Sequence, residues 1–278
     1  MFTNGDSQMK IIKKSLLHTA AIIIFCFSAL TQAALVDYDV NVTFRDFTPS
    51  HADFDESNIT GLTTGMVGPM LVGGVPVFAG ANGYGAVDNA TTFSTWYGAC
   101  NPLTPGTTCI QDYVIPITAQ LDDGTGTLTY DNSEFFPLDF VNPDFDPHVE
   151  HNYLFTAQFD LDLIYNAANS NLFSFTGDDD VWVFINDELV LDIGGIHGAV
   201  NGDFNMATVA ADQGIAEGEE YKFSFFFAER HFSQSQVLIS SALGAPVVTQ
   251  TPEPSSLFIL AMGLILLTIS NRKRLFNQ

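Results

Sequence analysis

The chain reads as all-β, a β-sandwich or barrel flanked by a signal peptide and a C-terminal apolar helix. Three observations predict this. The composition is rich in aromatics and turn formers, with 25 Phe, 22 Gly and 12 Pro in 278 residues and only 15% charged residues, which favours strands over Lys- and Glu-rich helices. No long stretch repeats apolar residues at helical spacing, whereas short alternating segments recur between Gly, Pro, Asn and Asp. Both ends carry apolar runs with adjacent basic residues, the pattern of targeting segments that do not belong to a fold.

Taken in order, Val36 to Phe44 alternates, with Val36, Tyr38, Val40, Val42 and Phe44 on one face. Val114 to Leu121, Leu154 to Leu163, Leu172 to Phe175, Val181 to Ile185, Glu188 to Ile193, Tyr221 to Phe227 and Gln236 to Leu243 are the further strand candidates. Asn186-Asp187 between two of them is a hairpin turn signal. Asp122-Asp123-Gly124 also reads as a turn. Residues 51–110, rich in Gly, Thr and Asn, read as loops with short strands, and no internal repeat is present.

The formal charge of −23 hides a partition. Residues 34–254 hold three bases, Arg45, Lys222 and Arg230, against 31 acids, a formal charge of −28. Such a region lacks the basic stripe that displaces counterions from nucleic acid, and 46% hydrophobic residues exclude intrinsic disorder.

The N-terminus has the layout of a secretory signal. Lys10, Lys13 and Lys14 precede the apolar Leu16 to Leu30, and Thr31-Gln32-Ala33 offers a signal peptidase small residues for a cut after Ala33, or after Ala34. Met9 competes with Met1 as the start. At the other end Pro252-Glu253-Pro254, the apolar run Leu257 to Ile269 and the basic Arg272-Lys273-Arg274 follow in order. That run is short for a membrane span of ~20 residues, and its basic flank is held in the cytoplasm. The expected division is a signal peptide at 1–33, a domain at 34–244, a linker at 245–251 and a tail at 252–278. Cys100 and Cys109 bracket a Pro- and Gly-containing loop in a region expected to be exported, so a disulfide is expected to close it.

The densest chemistry is Gly177-Asp178-Asp179-Asp180-Val181-Trp182-Val183-Phe184-Ile185-Asn186, continuing through Leu191-Asp192-Ile193-Gly194-Gly195-Ile196-His197-Gly198. Three adjacent carboxylates repel and raise one another's pKa. Two arrangements relieve this: a solvated turn with the acids pointing apart, or a bound divalent cation, for which hard oxygen ligands suit calcium. Glu229 is the best remote carboxylate, its alternatives being a salt bridge with Arg230 or a plain surface acid. Asp192 reads as a ligand or an Asx turn, and His197 as a ligand-facing or loop-capping side chain. Trp182 reads as core or as a sugar-stacking platform. No nucleophile elbow, phosphate loop or zinc-helix motif is present, so the expectation is a protein that is not an enzyme.

Two resemblances rest on these residues. The Gly177–Asn186 and Leu189–Gly198 runs resemble the signature of the fibro-slime domain. So do Phe44-Arg45-Asp46-Phe47 with His51 and Asp53-Phe54, Phe135 to Asp139, His151 to Thr156, and Phe225 to His231. That domain is similar to the β-sandwich module named after anthrax protective antigen, whose lectin relatives hold calcium between two adjacent aspartates joined by a cis peptide, and sugar hydroxyls on the calcium. The resemblance implies the jelly-roll form of the sandwich, calcium as cofactor, Asp178 and Asp179 as the pair, and a polysaccharide partner, with Asp180 a departure where the module often has Gly. Pro252-Glu253-Pro254 with its helix and basic cluster resembles the PEP-CTERM sorting signal. It implies an exosortase partner, a Gram-negative host and a place at the outer surface or in an exopolysaccharide or biofilm matrix. A structural matrix protein without sugar binding is the competing expectation.

Overall fold

The computed structural model describes residues 34–54, 59–100, 108–141 and 150–246. The signal segment and the sorting tail lie outside them. Among the described residues no helix is long and apolar enough to cross a membrane.

Eleven strands form one antiparallel network: β1 (Leu35–Phe47), β2 (Cys109–Asp122), β3 (Thr127–Asn132), β4 (Phe155–Ile164), β5 (Leu172–Gly177), β6 (Asp180–Ile185), β7 (Glu188–Ile193), β8 (Val200–Asn205), β9 (Glu220–Glu229), β10 (Val237–Ser241) and β11 (Ala245–Pro246). Two short helices, α1 (Ala90–Phe93) and α2 (Met206–Gln213), complete it. The order across the sheet is β7-β6-β9-β4-β1-β2-β3-β10-β5-β8, with β11 beside β4. All-β is therefore the observed class, and each predicted strand is present.

The sheet folds over so that its two halves face each other. Phe173 and Phe175 of β5 meet Phe223 and Phe225 of β9 at ring centroid distances of 5.5 and 6.0 Å, although the two strands are not neighbours in the sheet. Val40, Val42 and Phe44 of β1 and Val181, Val183 and Ile185 of β6 join this core, as their period-two pattern predicts. The outermost strands approach closely. A Cβ added to Gly202 on β8 would lie 2.3 Å from Ile193 Cδ1 and 2.9 Å from Leu191 Cδ1, both on β7.

A second core lies on the other face of β6 and β9. Trp182, Phe184, Phe226 and Ala228 are covered there by Phe54, Met66, Phe78, Phe93, Trp96 and Tyr97. The region expected as loops is thus a packed cover, and β6 is buried on both faces over its whole length. Its aromatics are scattered without a period, so no strand or helix pattern announces them.

Several features differ from expectation. The polar strands β3 and β8 and the eight-residue α2, capped by Asn205 and ended by left-handed Gly214, had no readable pattern. Ala245–Pro246, expected to open the linker, pairs with Leu163 and Ile164. Asn186 and Asp187 are both left-handed (φ 48° and 68°), as a type I′ hairpin requires. The Cys100–Cys109 disulfide is formed, with Cα atoms 5.6 Å apart.

Candidate functional site at a buried acidic corner

Gly177 ends β5 and Asp180 begins β6, so Asp178 and Asp179 form the corner between the two halves of the sheet. A Cβ at Gly177 would come within 2.5 Å of the Gln236 carbonyl, so the corner needs glycine there. Asp179 is left-handed (φ 50°), and the described residues contain no cis peptide. β9 runs beside β6 and delivers Glu229 and then Arg230 to the same place. Asp178, Asp179, Asp180, Glu229 and Arg230 are all buried.

The three aspartates have different partners. Asp180, expected among the ligands, is committed elsewhere: its Oδ2 accepts from Arg230 Nε at 2.6 Å and its Oδ1 from the Gly195 amide at 2.6 Å. Both side chains are fully buried, which makes this ion pair the local charge balance. Arg230 also donates to the Gly85 and Ala86 carbonyls, at 2.9 and 3.1 Å, and lies 4.7 Å over the Trp96 ring. It pairs with Asp180 rather than with its neighbour Glu229.

Asp179 accepts from the amides of Arg230 (2.8 Å) and His197 (3.1 Å). The Glu229 carboxyl lies beside it, and two neighbouring buried carboxylates disfavour each other's ionised form. Burial, then the charge of Asp180, pushes Asp179 up to about 6. Burial, then the charge of Asp179, pushes Glu229 well above the usual carboxylate range. Asp178 is raised mainly by burial, against a hydrogen bond from Gln236.

Three buried atoms at this corner have no hydrogen-bond partner: Asp178 Oδ2, Glu229 Oε2 and His197 Nε2. His197 Nδ1 lies 2.9 Å from the Gly198 carbonyl, which only accepts, so in the neutral ring Nε2 carries the free lone pair. Buried groups of this kind ordinarily find a partner. By donor chemistry the unpaired carboxylate oxygens suit a hard cation such as calcium, which takes about 6–8 oxygens. Among the described residues, however, the group of three with ligand atoms within 4.8 Å of one another is Cys100, Cys109 and Asp112, and its sulfurs are already bonded to each other.

Of the two readings of Trp182 the core one holds, since it is fully buried against Phe93 and Trp96 and offers no face to a sugar. Asp192 is neither a free ligand nor an Asx turn. Its oxygens accept from Trp182 Nε1 at 2.9 Å and the Gly65 amide at 2.6 Å, tying β7 to the cover. Sequence reasoning missed Asp53, which accepts from Trp96 Nε1, Thr92 Oγ1 and the Asp88 amide. Its place in the Phe44–Phe54 segment was the available signal.

Residues 144–255 match the PA14 domain family. The PA14 match takes in the whole acidic corner. Protein psiD of Dictyostelium discoideum is 33% identical over 73% of this chain and 41% of its own length. Protein psiF of the same organism is 31% identical over 81% of this chain and 34% of its own length. The chain thus spans less than half of these relatives. Among solved structures, the PA14 domain of the MpAFP antifreeze protein aligns over 81% of this chain and 98% of its own, at 12% identity and TM-score 0.34. The PA14 sugar-binding domain from an RTX adhesin aligns over 43% of this chain and 73% of its own, at 12% identity and TM-score 0.26.

Proposed function

We propose that this chain is an exported, non-catalytic carbohydrate-binding and adhesion module that engages surface or matrix polysaccharide through calcium held at the β5–β6 corner. The single observation that carries this reading is the set of buried, unpartnered acceptors, Asp178 Oδ2 and Glu229 Oε2, at a corner crowded with carboxylates. A cation there relieves the repulsion that burial intensifies. Asp178, Asp179 and Glu229 would hold the ion, and Asp180 stays with Arg230. The match of residues 144–255 to the PA14 domain family supports the choice of ligand class. Fibro-slime character, exosortase processing at Pro252-Glu253-Pro254 and a Gram-negative matrix belong to the same proposal.

A second reading, a structural matrix protein, draws on the corner's other bonds. Asp179, Asp180 and Arg230 also clamp the cover and the His197 loop, so calcium there would stiffen the molecule without touching sugar. Glycan arrays with and without chelator, run beside calcium titration of thermal stability, separate the two. Chelator-sensitive glycan binding that Asp178→Asn and Asp179→Asn abolish supports the first. Stabilisation by calcium with no glycan bound supports the second. No response to calcium by any measure sinks the metal in both.

A further inference from the structure

The most exposed large apolar side chain in the described structure is Phe140, at 89%. It stands at the lip of a cavity of about 250 Å³ on the side of the sheet formed by β2 and β3. Tyr130, Phe135 and Phe136 give the cavity an aromatic wall beside Pro137, and Asn132 and Glu134 lie on it as polar groups. The volume is below the ~300–1,000 Å³ of pockets for drug-sized ligands, so it suits a single ring.

The wall is held rigid. The Phe136 ring stacks on His151 at 3.9 Å with an interplanar angle of 4°, and Tyr153 meets it edge-on at 5.0 Å. His151 is fixed in turn by Asp139, 2.7 Å from its Nδ1. The Asn132 amide nitrogen donates to Tyr130 Oη at 3.1 Å, and its carbonyl oxygen accepts from the Glu134 amide at 2.9 Å. The cavity lining therefore combines a fixed aromatic surface with an acid and an oriented amide.

Charge selects the occupant. No base lines the cavity. Of the three bases in 34–254, Arg45 and Arg230 are buried and Lys222 faces Asp160 and Asp187. Phosphates and uronic acids find no counter-charge, whereas a neutral pyranose matches both surfaces. Its C–H face would lie on Phe136 and Phe140, and its hydroxyls would reach Asn132 and the Glu134 carboxylate.

We propose that this cavity is a second sugar subsite, specific for neutral pyranosides and independent of calcium. It rests on the carbohydrate reading above but not on the acidic corner. The test is saturation-transfer NMR on the purified full chain in EDTA, with methyl β-glucopyranoside, methyl β-galactopyranoside, methyl α-mannopyranoside and sodium glucuronate as probes. At least one neutral glycoside is expected to receive saturation on its ring C–H protons, and glucuronate none. Phe140→Ala, an exposed change that leaves the core untouched, is expected to weaken binding about tenfold, and Phe140→Tyr to restore it. Silence from all neutral glycosides in EDTA overturns the subsite, as does a signal unmoved by Phe140→Ala. So does preferential occupancy by a leucine-rich peptide probe. Failure at the corner is seen separately. Binding in EDTA without any calcium-dependent component removes the corner reading alone, and the converse removes this one alone.

Discussion

At the scale of single residues, Arg230 carries more of the molecule than its position in the chain suggests. It neutralises Asp180, caps the Gly85 and Ala86 carbonyls and lies over Trp96. Removing one partner of a buried pair strands the other charge. Arg230→Met is therefore expected to cost about 3–5 kcal/mol, read as a lower midpoint in urea unfolding, and the double change with Asp180→Leu to recover a large part. Equal loss in single and double variants would refute this role. His51 gives a pH signature. Its Nδ1 accepts the Asp53 amide at 3.1 Å, so Nε2 carries the proton toward Thr95 Oγ1 at 2.8 Å, and the ring is folded as neutral. Burial lowers its pKa below 6.5, with Asp53 opposing and Arg230 adding. The unfolded chain thus takes up the proton first, and this stability is full above about pH 6.5 and is lost as pH falls below it. The stability difference between the native chain and His51→Asn should shrink from pH 7.5 to pH 5.5, and a difference flat with pH would contradict the assignment. His51, Asp53 and Arg230 all fall in segments that the sequence singles out by resemblance. The letters do not say that their task is to hold the cover, because partners 43 to 177 positions apart leave no local spacing to read.

At the scale of elements, legibility follows burial. A strand with one buried face over much of its length, such as β1, announces itself by alternation, whereas β9 is buried on both faces. β3, with Thr, Asp and Asn, and β8, with Asn, Gly and Asp, contribute few apolar residues and depend on their neighbours' hydrogen bonds. β8 also shows where a missing side chain matters. Gly202 lets the β8 edge approach Ile193 and Leu191 on β7. Gly202→Val is expected to push these edges apart and cost about 1–3 kcal/mol, the usual penalty of overpacking. The same change at Gly198, where an added Cβ meets nothing within 4 Å, should cost less, and equal costs in thermal unfolding would show that the approach is unimportant. The acidic corner belongs to this scale too. Asp178-Asp179-Asp180 is conspicuous as a triplet, yet its three members are separated only by the geometry of a strand end. Asp180 starts β6 and turns to Arg230, while Asp179, left-handed, turns to Glu229.

At the scale of the whole molecule, the start of the domain is tied to the turn between β2 and β3. The Ala34 amide already lies 2.7 Å from Asp123 Oδ1, and the Asp123 amide lies 3.1 Å from the Ala34 carbonyl. A cut after Ala33 would place a new ammonium against that carboxylate. Mass spectrometry of the exported product is expected to find Ala34 first. The new amino group should then titrate above the ordinary α-amino value of about 7.7–8.0 and return toward it in Asp123→Asn. A product beginning at Leu35 would refute the pairing. By itself the sequence determined the all-β class, nearly every apolar strand, the Asn186-Asp187 turn, the cysteine pair and the acidic, base-poor character of the region between the targeting ends. These are local or compositional properties, set by alternation, turn chemistry and charge count. Only the tertiary structure decided that residues 59–98 form a second core, that Trp182 is buried, that Asp180 and Asp192 are already engaged, and that Asp178, Glu229 and His197 are left with unpaired buried atoms. Those outcomes depend on which distant side chains meet across the folded sheet, and no periodicity in the chain encodes such meetings.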